Sequence, residues 1–137
     1  MSFLPAYVET SALLKLLLPE LEGDELSLEL DRWPDWVTSE LTTVECRRAL
    51  VRERANASVR ARADHVLARC VLVRIDALVL RLAERIGPRE LRSLDAIHLA
   101  TALSFGDYPE AFITYDDRLA AAARTVKLNV LQPGRAG

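Results

Sequence analysis

The segment 93–105 constrains the fold more than any other stretch, because apolar side chains occupy nearly every face of the helix that it predicts. A helix of this kind belongs in the interior of a domain, between other elements. Its first turn nevertheless contains Asp95. Burying a charged group is costly unless the group is paired or binds a metal ion. We therefore expect the Asp95 carboxylate to lie deep in the fold, next to a partner that neutralises it.

Short β-branched runs alternate with helical segments over the rest of the chain. Strands are predicted at residues 4–9, 36–38, 70–75, 111–114 and 126–131, and helices at 12–18, 20–30, 40–54, 59–68, 76–86, 93–105 and 117–124. Thr10 and Ser11 are predicted to cap the first helix, and Ser39 and Asp76 the third and the fifth. The alternation predicts an α/β fold in a single domain over residues 1–137, with a mainly parallel sheet covered by helices on both faces.

Composition limits the functions that are open to the chain. Its 137 residues are 50% hydrophobic and 28% charged, which is typical of a soluble globular protein. A formal net charge of -2 argues against a strongly basic, general nucleic-acid binder. Cys46 and Cys70 have no metal-ligand spacing and are predicted to be buried thiols in a reducing compartment. The apolar run 12–18 is too short to span a membrane and no secretory signal is visible, so we expect a cytoplasmic protein with no membrane partner.

Four acidic residues stand where the predicted strands end or the following helices begin. Glu9 ends the first strand and Asp116 follows the fourth, while Glu45 lies about two turns into its helix and Asp95 in the first turn. Parallel sheets bind ligands beyond the carboxyl ends of their strands. Carboxylates gathered there repel one another unless a cation neutralises them, and Mg²⁺ or Mn²⁺ suits oxygen ligands. Taken singly, each acid has a plainer explanation, such as a helix cap at Asp116.

Several polar and basic residues accompany these acids. Ser11 and Thr114 could hold a carboxylate or a water molecule. Arg92 and Arg118 flank the acids and could contact phosphates, although solvated surface arginines explain them equally well. His98 is predicted to be a hydrogen-bonded core residue rather than a catalyst, since no second histidine stands near it to complete a zinc site.

Four segments of the chain resemble the PIN-domain family, in the family's order and spacing. They are residues 6–13 (AYVETSAL), 43–50 (TVECRRAL), 92–100 (RSLDAIHLA) and 113–119 (ITYDDRL). In length and motif wording the chain resembles the VapC toxins of bacterial toxin–antitoxin pairs. The resemblance implies a PIN-like three-layer sandwich with a central sheet of about four or five strands.

The resemblance also implies an activity. It predicts an endoribonuclease that depends on Mg²⁺ or Mn²⁺ and cleaves RNA phosphodiester bonds with a metal-activated water. Glu9, Asp95 and Asp116 are then expected to bind the metal, and Glu45 to orient the attacking water or to accept its proton, with Asp117 as a helper. Expected partners are RNA, a cognate VapB-type antitoxin and a second copy of the chain in a homodimer.

One position departs from the family pattern, which usually has aspartate where this chain has Glu9. The extra methylene moves the carboxylate by about 1.5 Å. A misplacement near 1 Å can lower a catalytic rate by about 10²-fold. Two alternatives therefore stand beside the toxin interpretation. One is a PIN nuclease that processes RNA without being a toxin, and the other is a catalytically weakened, PIN-like binding module.

Overall fold

A five-stranded parallel sheet organises the computed structural model, which describes residues 5–105 and 109–135. The strands are β1 (Pro5–Val8), β2 (Asp35–Ser39), β3 (Val71–Val73), β4 (Ala111–Ile113) and β5 (Val130–Leu131). The helices are α1 (Thr10–Leu17), α2 (Gly23–Asp31), α3 (Glu40–Arg52), α4 (Ala57–Arg69), α5 (Ala77–Ala83), α6 (Ser93–Leu103) and α7 (Asp117–Thr125). The strands are ordered β3-β2-β1-β4-β5, and every neighbouring pair is parallel. The predicted α/β fold is confirmed.

Side chains of the central strands alternate between the two faces of the sheet, and each face has its own core. Ala6 and Val8 of β1 face a cluster that α1 to α4 complete. Tyr7, between them, joins the opposite cluster with Leu99 of α6 and Leu119 of α7. Each fully buried large aliphatic side chain contributes about 1.5–3 kcal/mol. Because helices cover both faces, the central strands have no solvent-facing side, and polar groups that they carry must find partners inside the protein.

Some element boundaries differ from the predictions where capping decides them. The first helix begins at Thr10, and its N-cap is Glu9, whose carboxylate accepts a hydrogen bond from the backbone N–H of Ser11. The assignment of this cap to Thr10 and Ser11 was therefore wrong. The predicted caps of α3 and α5 are confirmed at Ser39 and Asp76. The strand predicted at 126–131 shortens to β5, because a turn precedes it. Residue 4 of the first predicted strand lies outside the described residues.

The strand order creates a topological switch point between β1 and β4. The chain places β2 and β3 on one side of β1, and β4 and β5 on the other. Val8 is in register with Ile113, and the Glu9 backbone N–H donates to the Ile113 carbonyl at 3.0 Å. Glu9 and Thr114, the residues that follow these two strands, are therefore neighbours. Ligands of open parallel sheets bind in the crevice beyond the strand ends at such a point.

The two cysteines are both free and buried, as predicted. Burial raises the pKa of the Cys46 thiol to about 12 and that of the Cys70 thiol to about 11. Both are therefore protonated and poor nucleophiles at neutral pH. Among the helices in residues 5–105 and 109–135, none has the length and apolarity needed to cross a membrane.

Gly87 fixes the backbone of the connection that leads into α6. Its φ is +74°, and a Cβ there would lie 2.8 Å from Cδ2 of Leu91. We expect Gly87→Ala to destabilise the protein by about 1–3 kcal/mol, because a left-handed backbone strains any residue with a Cβ. Gly23→Ala is the matched control, since its Cβ would meet only the Lys15 carbonyl at 3.5 Å. It should be neutral or stabilise by up to about 1 kcal/mol. Urea denaturation measures both, and equal stabilities would contradict the prediction.

Candidate active site

Glu9 is the most buried of the four predicted acids, with 6% of its surface exposed. Its Oε1 accepts hydrogen bonds from the Ser11 backbone N–H at 3.1 Å, the Ser11 hydroxyl at 2.5 Å and the Thr114 hydroxyl at 2.6 Å. Its Oε2 lies 4.0 Å from Nε2 of His98, beyond hydrogen-bonding distance. The protein therefore fixes one oxygen of Glu9 and leaves the other for a ligand.

Glu45 reaches the same place from α3. Its Oε1 accepts hydrogen bonds from the Thr10 hydroxyl at 2.6 Å and from Nε2 of His98 at 2.7 Å. His98 of α6 is 1% exposed, and its Nδ1 is 2.7 Å from the Tyr7 hydroxyl. An ionised carboxylate has no proton to donate, so Nε2 of His98 must carry one. These contacts form the Tyr7–His98–Glu45 chain, which runs from the core to the edge of the sheet.

The pKa values of this group reflect its crowding. Burial raises the pKa of Glu9, although His98 and the hydrogen bonds from Ser11 and Thr114 oppose the rise. Burial acts in the same direction on Glu45, but hydrogen bonds from His98 and Thr10 outweigh it and lower the pKa of Glu45. For His98, burial favours the neutral ring, yet the contact with Glu45 and the charge of Glu9 raise its pKa. Glu45 is therefore ionised at neutral pH. The hydrogen bonds to Glu9 and the nearby His98 do not fully offset the cost of burying a negative charge on Glu9.

One ligand atom from each of Glu9, Glu45 and His98 lies within 4.8 Å of the other two, a spacing that could hold a metal ion. The histidine is nevertheless the weakest candidate of the three. Its Nε2 donates a proton to Glu45 and so offers no lone pair, and Nδ1 is bonded to Tyr7. The carboxylate oxygens that make no hydrogen bond are the better ligands.

Asp95 and Asp116 flank this cluster. Asp116 is the N-cap of α7, and its Oδ1 accepts a hydrogen bond from the Leu119 backbone N–H at 3.1 Å. Asp95 makes no hydrogen bond or salt bridge with any residue in the described ranges. Burial raises the pKa of Asp95, and the negative charge of Asp116 raises it further. The two carboxylates are thus close enough to repel each other.

The position of Asp95 corrects one expectation. Most of the helix α6 is buried from Ala96 to Ala102, but its first residues, Ser93 and Leu94, are exposed, and Asp95 is partly exposed. The prediction that Asp95 lies deep in the fold was therefore wrong, because the N-terminal turn of the helix reaches the surface. The deeply buried carboxylate belongs to Glu9.

Asp117 is bound away from the cluster. Its Oδ1 accepts hydrogen bonds from Nη1 of Arg135 at 2.8 Å and from Nε2 of Gln132 at 3.3 Å. Arg135 also donates to Glu22 at 3.1 Å, so it ties the segment 132–135 both to α7 and to the connection between α1 and α2. The helper role of Asp117 stays a prediction, and these contacts favour a structural role instead.

Arg92 and Arg118 are exposed beside Asp95. Within the described parts of the chain neither guanidinium forms a hydrogen bond or a salt bridge. Both arginines and Asp95 line a surface cavity of about 450 Å³. Their contact with phosphates stays a prediction.

Sequence reasoning missed Tyr7 and placed His98 outside the site. His98 is hydrogen-bonded and buried, as predicted, but one of its partners is Glu45. A usable signal was present. A tyrosine in a buried strand and a histidine in an apolar helix each need a polar partner in the core. A carboxylate on a third buried element was the natural candidate.

The donor set fits a divalent cation. Glu9, Glu45 and Asp116 each give one oxygen to hydrogen bonds and keep the other, while Asp95 has both oxygens without a bond to any described residue. The raised pKa values of Glu9 and Asp95 indicate negative charge that the protein does not neutralise. Carboxylates with water are the ligands that Mg²⁺ and Mn²⁺ prefer.

The family model of the PIN domain matches residues 6–125 of the chain, a span that includes all four acids. The chain belongs to the PIN-domain family. Ribonuclease VapC35 of Mycobacterium tuberculosis (strain ATCC 25618 / H37Rv) is 44% identical to this PIN domain over 134 residues, with 95% of this chain and 98% of the relative covered.

Two solved structures share the fold of this PIN domain. One is Mycobacterium tuberculosis VapC20, described as a sarcin–ricin loop cleaving toxin, with a TM-score of 0.69 and 20% identity over 85% of this chain and 94% of that one. The other is a toxin–antitoxin complex from Klebsiella pneumoniae, with a TM-score of 0.71 and 20% identity over 96% and 99% of the two chains.

The pKa shifts predict how the stability of the metal-free protein depends on pH. The folded-state pKa values of Glu9 and His98 are both raised, so their contributions are present at low pH and are lost as pH rises above the unfolded values of 4.5 and 6.5. We expect the metal-free melting temperature to fall as pH rises above about 4.5, and to fall further above about pH 6.5, where His98 also begins to contribute. Bound Mn²⁺ should raise the melting temperature again, and more so at higher pH. At a hundredfold excess of Mn²⁺ over its dissociation constant, the gain in the free energy of unfolding is about 2.7 kcal/mol.

Thermal melts with Mn²⁺ and with a chelator, at several pH values, measure this effect. His98→Gln is the control, because it removes the titrating ring and with it the part of the fall above about pH 6.5 that His98 contributes, while Glu9 keeps its own part. A gap between the Mn²⁺ and chelator curves that does not change with pH would count against the site.

Proposed function

We propose that this PIN domain is a metal-dependent endoribonuclease that acts as the VapC-type toxin of a toxin–antitoxin pair and hydrolyses phosphodiester bonds of RNA. The observation that carries the proposal is the pair of anchored glutamates. Glu9 and Glu45 each have one oxygen fixed by hydrogen bonds and one kept for a ligand, beside two further acids. The identity with a named ribonuclease over nearly the whole chain supports the activity.

In this proposal Glu9, Asp95 and Asp116 hold a Mg²⁺ or Mn²⁺ ion. When bound, the ion supplies Lewis acidity, which lowers the pKa of water and neutralises charge on the scissile phosphate. The Ser11 and Thr114 hydroxyls keep the Glu9 carboxylate in one orientation. The cap that Asp116 forms on α7 orients its carboxylate in the same way.

Glu45 is assigned to the attacking water. Its lowered pKa makes it a weak proton acceptor at neutral pH, which favours orienting the water by a hydrogen bond over removing its proton early. His98 acts through Glu45 and is therefore a positioning residue. Its ring is fixed on the other side by Tyr7 and cannot turn away without losing a buried hydrogen bond.

The glutamate at position 9 is compatible with activity. Three donors meet its Oε1, two of them from Ser11 and one from Thr114, so the longer side chain is accommodated rather than loose. We therefore favour an active nuclease over a weakened binding module. The processing nuclease without a toxin role has no specific observation in its favour.

We propose that residues 1–137 form a single PIN domain that acts in the cytoplasm. Its proposed protein partners are a VapB-type antitoxin and a second copy of the chain. The fold match to a toxin–antitoxin complex supports the antitoxin. Exposed apolar side chains support a further protein contact: Val71 and Leu72 on the edge strand β3, and Leu78 and Leu80 on α5, are 42–53% exposed.

Replacing one metal-binding acid should abolish cleavage. We expect Asp95→Asn to lower kcat for RNA by more than about 100-fold, because supporting partners of metal ligands alone are worth about 10–100-fold. Cleavage of RNA by purified, antitoxin-free protein with Mn²⁺ measures this effect. Glu25→Gln, an exposed acid on α2, is the matched control and should leave the rate unchanged. Equal rates for wild type and Asp95→Asn would remove Asp95 from the site.

The positioning role of His98 predicts a graded series. His98→Ala should lower kcat by about 10–100-fold with little change in KM, since Glu45 loses one of its two hydrogen-bond donors and keeps only Thr10. His98→Gln should recover part of the loss, because a glutamine amide can donate to Glu45 in place of Nε2. Tyr7→Phe should have a smaller effect than His98→Ala, since it leaves the His98–Glu45 hydrogen bond in place and removes only the Tyr7 hydroxyl from His98, Thr38 and Ser39.

Circular dichroism and melting curves separate this series from loss of fold. If His98→Gln were as impaired in kcat as His98→Ala while both remained folded, a role through hydrogen bonding to Glu45 would be excluded.

A further inference from the structure

A surface cavity lies beside Asp95, on the side where Arg92 and Arg118 are exposed. It has a volume of about 450 Å³ and lies between the connection that precedes α6, the first turn of α6 and α7. Apolar walls come from Pro88, Leu91, Ala121 and Ala122. This volume is within the range of small-ligand sites, about 300–1,000 Å³. We call this cavity the base pocket.

Two of the four acids adjoin the base pocket. Asp95 lines it, and Asp116 caps α7, the helix whose residues Arg118, Ala121 and Ala122 line its other side. A phosphodiester bound at the acids would therefore have one of its flanking nucleosides at the mouth of the pocket.

The arginines at the base pocket differ from others in the protein. Arg47 pairs with Asp64 at 2.6 Å, and Arg135 pairs with Glu22 and Asp117. Arg92 and Arg118, which line the pocket, have no such partner in the described residues. A guanidinium plane can bind a phosphate through two N–H groups and can stack on a base.

We infer that the base pocket receives an unpaired nucleobase of the RNA substrate, next to the phosphodiester that the acids cleave. The inference rests on the proposed function. Sequence-specific RNA recognition mostly uses unstacked bases of single-stranded regions, which insert between side chains. Apolar walls and Arg118 suit the two faces of a base, and Glu90 at the rim can accept a hydrogen bond from an exocyclic amino group. The pocket therefore selects which base flanks the cut.

The test uses a randomised, single-stranded RNA pool with Mn²⁺ and sequences the cut ends. Wild type should show a preference of about tenfold at one position beside the cut, the size that hydrogen bonds to a base edge provide. Ala121→Phe fills the pocket from an exposed position and should still cut the pool but lose that preference. Ala61→Phe, at an exposed alanine on α4, is the matched control and should keep it.

A second pair of variants guards against misfolding. Arg118→Ala should weaken the preference, whereas Arg124→Ala, an exposed arginine on the same helix that does not line the pocket, should not. The inference is overturned if Ala121→Phe and Arg118→Ala both keep the wild-type preference, or if wild type has none beside the cut. Loss of antitoxin binding in Ala121→Phe with an unchanged cut preference would assign the pocket to a peptide instead. Failure of wild type to cut any RNA would overturn the proposed function itself, and this inference with it.

Discussion

The buried carboxylate of Glu9 is the contact on which the site depends. Glu9 follows β1, and its Oε1 connects this strand to two further elements. The oxygen caps α1 and accepts a hydrogen bond from Thr114, which follows β4. The ends of the two strands at the switch point are thereby held together. The other oxygen keeps its capacity to bind a ligand, and Glu45 repeats the arrangement from α3. Hydrogen bonds within the protein thus orient each glutamate through one carboxylate oxygen and do not occupy the other.

Such a site has a cost in stability. A carboxylate that is 6% exposed favours its protonated form, and the raised pKa of Glu9 records this preference. Asp95 and Asp116 add repulsion that a cation would relieve. Active sites commonly keep such unfavourable groups because binding or catalysis needs them. Burial of apolar side chains in the cores on the two faces of the sheet offsets this unfavourable free energy.

The fold could be predicted from the sequence because its signals are local. Alternating apolar runs and helical patterns, with caps such as Ser39 and Asp76, indicated every strand and helix in order. The end of the first strand was harder. Glutamate is an uncommon N-cap, so Thr10 and Ser11 attracted the assignment, although Glu9 makes the contact.

The candidate site could be predicted only in part. Strand ends in a parallel sheet gather acids, which is why Glu9 and Asp116 could be placed near one another. The depth of Asp95 depended on how far the first turn of α6 projects, and helix periodicity does not contain that information. The contact between His98 and Glu45 joins residues 53 positions apart on two helices, so it depends on tertiary packing alone.

The bridge that Arg135 makes has a consequence for how this protein can vary. It connects Glu22 with Asp117, the neighbour of Asp116, and its guanidinium lies 5.2 Å from the centre of the Tyr115 ring. The short segment 132–135 therefore helps to hold the start of α7, next to an acid of the site, without itself belonging to that site. The effect of a substitution at Arg135 would therefore depend on which residues stand at positions 22 and 117.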